Sequence, residues 1–138
     1  MDIESLLETA VNNPRNENIT TMTFKSIQQR KKDIIKGLKT KDTAGFMKKL
    51  ESYRFVDELT EIRTGCYIRW INLNYEPISL TNGGIITNID LTDNGTYITC
   101  KNNMNRFFKL RLDDCLVFQK ITSQEQIILS VIDHIHKS

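Results

Sequence analysis

Few side chains in this sequence offer catalytic or metal-binding chemistry. His134 and His136 are the two histidines. On a helix, a spacing of two turns them about 200° apart, so they cannot share one ion on one face. A cationic histidine at a helix C-terminus instead suits the dipole there. Cys66, Cys100 and Cys115 are 34 and 15 residues apart, with no C-x-x-C pair to place two thiolates on a zinc ion. A thiol nucleophile needs an activating base, and no histidine lies near any of them in sequence. All three are expected as small core residues of strands. The adjacent acids Asp57-Glu58 and Asp113-Asp114 read as solvated turn residues, since acid–base work needs two carboxylates in contrasting environments of one cleft. Gly83-Gly84 feeds a strand and not a helix, which fails the geometry of a phosphate cradle. The pair is expected at a turn or in close packing at a barrel corner. The reading is therefore non-enzymatic, with no metal and no cofactor.

What remains is binding chemistry. Charge is segregated along the chain: residues 22–52 carry nine basic residues against three acids, net +6, while residues 1–21 are net −3 and residues 53–138 net −1. Lys25, Arg30, Lys31, Lys32, Lys36, Lys39, Lys41, Lys48 and Lys49 are candidates to contact phosphates or an acidic protein, or to form a plain solvated face. A second candidate surface lies in the β-rich half, where Arg69, Trp70, Arg106, Phe108 and Lys109 interleave cations with aromatic rings. Alternation puts Arg106, Phe108 and Leu110 on one face of a strand and Phe107, Lys109 and Arg111 on the other.

These groups must be positioned by a two-part chain. Ile3, Leu6, Leu7 and Ala10 make a short amphipathic helix over 2–11, which Pro14 ends. Residues 12–21 are polar and read as a linker. Phe24, Ile27, Ile34, Ile35 and Leu38 mark a second helix over 22–40, its apolar stripe interrupted by Lys31. Asp42 is placed to cap a third helix, on which Phe46, Met47, Leu50 and Tyr53 share a face. The period changes to two after about Leu59. Strands are expected at 66–73, 85–89, 96–101, 106–111 and 115–119, with a hairpin at Asp93-Asn94-Gly95. Thr122 and Glu125 form a capping box for a last helix. Ile127, Ile128, Val131, Ile132 and Ile135 give that helix an apolar stripe to lay against the sheet.

The fold expected is α+β: an N-terminal helical arm, a small five-stranded antiparallel SH3-like barrel and a C-terminal helix. Closure would hide the edges that a flat sheet exposes. The segments are 1–21 (short helix and linker), 22–58 (basic helical hairpin) and 59–138 (barrel with its helix). The acidic start has no basic n-region, and no apolar run is long enough to span a membrane, so neither a signal peptide nor a span is expected. The odd cysteine count fits a reducing, intracellular compartment.

The β segment has a recognisable cadence. It contains Gly65-Cys66-Tyr67-Ile68-Arg69-Trp70, then Gly83-Gly84, then Lys101-Asn102, and closes on Leu116-Val117-Phe118. Over residues 59–120 this resembles small β-barrel proteins encoded by large nucleocytoplasmic DNA viruses. The resemblance implies a non-enzymatic, virus-encoded protein in the host cytoplasm or the virion. It would be a minor virion or capsid component that bridges neighbouring viral structural proteins, with a nucleic-acid-binding module as the alternative. It supplies no catalytic residues.

Overall fold

The computed structural model describes residues 3–16, 18–38 and 40–137. Among these are four α-helices, α1 (Ile3–Asn12), α2 (Phe24–Lys36), α3 (Thr43–Lys49) and α4 (Ser123–Lys137). They accompany six strands, β1 (Tyr53–Val56), β2 (Tyr67–Asn72), β3 (Gly84–Thr92), β4 (Gly95–Lys101), β5 (Phe107–Arg111) and β6 (Cys115–Lys120). All pair antiparallel in one sheet of order β1-β6-β2-β3-β4-β5. The α+β class stands. The five-stranded closed barrel does not describe this pairing: there are six strands, and the sheet is open with β1 and β5 as its edges.

The additional strand is β1. Tyr53 continues the helical spacing of Phe46 and Leu50, so a sequence reading carries the hairpin through it. In fact α3 ends at Lys49, and the carbonyl of its cap residue Leu50 accepts the Tyr53 N–H at 2.9 Å. Tyr-Arg-Phe-Val then pairs with residues 117–120. The region read as a linker is two short 3-10 turns, Pro14–Asn16 and Asn18–Thr21. Its asparagines are used inward. Asn13 and Asn16 both donate Nδ2 to Gln124 Oε1 on α4, each at 3.0 Å, and Ile19 is buried.

Three apolar clusters hold these layers. The sheet curls enough to join Val56, Ile68, Trp70, Ile86, Ile98, Leu110 and Val117 in one core. On the outer face of β1, β6 and β2, Phe55, Phe118 and Ile71 meet Ile35, Phe46 and Leu50 of α2 and α3. The third cluster joins α1 and α4 through Ala10, Ile19, Ile27, Ile128 and Leu129. The predicted capping box is present: Glu125 N–H donates to Thr122 Oγ1, and Thr122 N–H donates to Glu125 Oε1. The main contact of an α-helix with a strand is that of α2 with β1, and most residues of β3 and β5 are exposed or half-buried.

Candidate binding surface at the β4–β5 hairpin

The basic helices lose part of their expected surface. Lys31 is only 1% exposed. Its ammonium donates to the carbonyls of Leu50 at 2.7 Å and Tyr53 at 2.9 Å, which locks α2 onto the turn between α3 and β1. Burial pulls its pKa below the ordinary lysine value, with Glu51 opposing. The expectation that Lys31 contacts a partner is thus corrected: it interrupts an apolar stripe because it lies inside the protein. Arg30 is also engaged, with Nη2 at 2.8 Å from Asp57 Oδ1 and its guanidinium 5.0 Å from the Phe55 ring. Lys25, Lys32 and Lys36 are exposed on one stripe of α2, and Lys41, Lys48 and Lys49 are exposed nearby in sequence. Lys39 lies outside the described residues.

Next to Arg30 is a buried charge cluster that sequence reading missed. Arg54 on β1 sits 3.7 Å from Glu61 Oε2 and 3.6 Å from Glu125 Oε2. Arg54 Nε and Nη1 and Glu61 Oε2 make no hydrogen bond to the described residues. Burial raises the Glu61 pKa above the usual carboxylate range, opposed by Arg54 and Arg30. The cluster ties β1, the turn at Leu59–Glu61 and α4 together.

The cysteines offer no thiolate in the core. Burial pushes Cys100 up to about 12 and Cys115 up to about 11, the latter helped by Asp114. Cys66 is half-buried just before β2. No described group of three His, Cys, Asp or Glu side chains is arranged to hold a metal. Asp113 and Asp114 sit in a 3-10 turn, and both pair with Arg111.

The aromatic and cationic candidates of the β-rich half divide between two faces. Trp70 and Phe108 meet in a concavity of about 320 Å³, whose walls are Tyr67, Thr81, Asn82 and Gly83 on one side and Asn102, Asn103 and Met104 on the other. The glycine pair makes this approach possible. A Cβ on Gly83, at φ +84°, would collide with the Ile68 carbonyl, and one on Gly84 would come within 2.8 Å of the Lys101 carbonyl. Arg69 points away from the concavity. It donates Nε to Thr81 O at 2.8 Å and Nη1 to Lys49 O at 3.3 Å, so it positions the loop wall. Lys109 lies on the opposite face of β5 from Phe108, its Nζ 5.0 Å from the Tyr97 ring. Lys101 similarly covers Phe107 at 5.7 Å. The five candidates therefore form no single face: Trp70 and Phe108 share the concavity, Arg106 begins the edge, Lys109 flanks it, and Arg69 is elsewhere.

Around this hairpin, apolar side chains are unusually open. Met104 is 68%, Phe107 64% and Phe108 44% exposed. Comparison with protein-family models, curated proteins and solved structures finds no match for the chain.

Proposed function

We propose that this is a non-catalytic interaction protein that bridges neighbouring proteins through the β4–β5 end of its sheet. The observation that carries the reading is the clustering of Met104, Phe107 and Phe108, all exposed, on one hairpin at a sheet edge. Met104 and Phe108 share the concavity as one open apolar group, the mark of an interaction site, while Phe107 stands open on the opposite face of β5. The resemblance over residues 59–120 gives the setting: a minor virion component of a large DNA virus, with viral structural proteins as partners. Support for an SH3-like ancestry of the sheet comes from the meander β2–β3–β4–β5, with β6 returning through one 3-10 turn to pair with β2. Nucleic-acid binding along α2 and α3 is the second reading. Lys25, Lys32 and Lys36 favour it, while the internal use of Lys31 and Arg30 weakens it.

A photoreactive phenylalanine at position 107, introduced into the full chain in its native cell, tests the proposal. Discrete protein adducts that are absent when the label sits at Gln29 are expected. Adducts to nucleic acid, or equal labelling from both positions, refute it.

A further inference from the structure

The occupant of this surface can be narrowed, on the footing of the interaction reading above. β5 has one neighbour, β4, and its other long side is open. Asn102 N–H donates to Arg106 O at 3.0 Å and starts the ladder. Antiparallel alternation from that bond turns the N–H and C=O of Phe107, Lys109 and Arg111 away from β4. Phe107 and Lys109 thus turn a donor and an acceptor each to the open edge, while the Arg111 carbonyl opens the 3-10 turn at Leu112–Asp114, and such an edge is a template for an added strand.

The charge on that edge is one-sided. Lys101, Arg106 and Lys109 make no ion pair among the described residues, and residues 101–111 contain no acid. Arg111 is already matched by Asp113 and Asp114. A second copy of this chain is the wrong occupant: β5 paired with itself about its centre would set Lys109 opposite Lys109, and directly opposed like charges destabilise a strand pair. A stacked single strand of nucleic acid is also disfavoured, because the Phe107 and Tyr97 rings each already carry a lysine ammonium. Pairing through the backbone edge needs neither ring displaced.

We propose that β5 receives an extended, acidic segment of a partner protein as a seventh strand. Alternate side chains of that strand reach the Trp70–Phe108 concavity, beside Arg106, and its carboxylates on the other face meet Lys101 and Lys109. The concavity then supplies selectivity for an apolar anchor, and the edge supplies backbone hydrogen bonds.

The test uses the full chain and three fluorescent probes of equal length: a peptide alternating Glu with Val and one Phe, the same peptide with Lys for Glu, and oligo-dT. Saturable anisotropy is expected for the acidic peptide alone, with amide protection appearing at Phe107, Lys109 and Arg111. Lys109→Pro removes one outward donor without touching the β4 ladder. It is expected to weaken binding by about tenfold or more. If that variant loses its fold by circular dichroism, Arg106→Glu/Lys109→Glu serves instead, and preference should invert toward the Lys peptide. No binding of the acidic peptide, equal binding of both peptides, or preferred binding of oligo-dT overturns strand addition. Protein adducts from position 107 combined with any of those results would leave the interaction reading standing and this one refuted.

Discussion

Truncating Arg54 to alanine probes how the sheet is fixed to the helical layer. The guanidinium lies between Glu61 and Glu125, at 3.7 and 3.6 Å, and all three side chains are nearly inaccessible to water. Removing it leaves Glu125 buried without its opposing charge, while Glu61 keeps only Arg30, at 4.0 Å. Breaking one side of a buried ion cluster costs about 3–5 kcal/mol, because the stranded charge keeps its desolvation penalty. With a urea m-value of roughly 2 kcal/mol/M, the unfolding midpoint should drop by about 2 M. The distances are too long for good hydrogen bonds, so the cluster itself should add little net stability. Arg54→Met combined with Glu125→Gln removes the pair together, and the glutamine can still accept the Thr122 N–H in the cap. That double variant still leaves Glu61 beside Arg30 alone, so it should recover more than half of the stability that Arg54→Ala loses. Equilibrium urea unfolding followed by circular dichroism measures both. A cost below about 1 kcal/mol for Arg54→Ala, or a double variant as unstable as the single one, would refute the reasoning.

Other consequences follow from the same packing. Ile128→Ala in the α1–α4 cluster should cost about 2–5 kcal/mol in urea unfolding, whereas Ile135→Ala, at a solvent-exposed position, should change stability by less than about 0.5 kcal/mol. Gly83→Ala should prevent the close approach of the β2–β3 loop to β2. A native-like tryptophan fluorescence spectrum and unchanged midpoint would contradict that. Burial holds the Glu61 pKa above its ordinary value of 4.5, so the folded state binds its proton at higher pH than the unfolded chain. Ionised Glu61 therefore costs stability at neutral pH, and the cost is relieved as pH falls through the raised pKa toward 4.5. Stability of the parent relative to Glu61→Gln should rise over that fall, and a decline would show the wrong sign.

Local chemistry was the most legible part of this chain. The Thr122–Glu125 capping box and the Asp42 cap need only residues three apart, and both form as read. Gly95 at φ +126° closes the hairpin that Asn94-Gly95 announced. The features that escaped depend on distant partners. Polar composition made residues 12–21 look like a linker, yet Gln124 lies more than one hundred positions away and holds two of its asparagines. Lys31 gave one readable sign, its place on the apolar stripe. Its carbonyl partners become visible only when α3 turns into β1. Met104 is an apolar residue in an asparagine-rich turn, a signal of exposure. That it shares a concavity with Trp70 depends on the curl of the sheet, which no spacing encodes.

Amide hydrogen exchange of the full chain, alone and within its native assembly, tests the central claim most directly. The account predicts that protection on assembly concentrates in residues 102–111, with the outward amides of Phe107, Lys109 and Arg111 slowed the most. Protection confined to the basic stripe of α2, with the β4–β5 hairpin exchanging as fast as in the isolated protein, would contradict it.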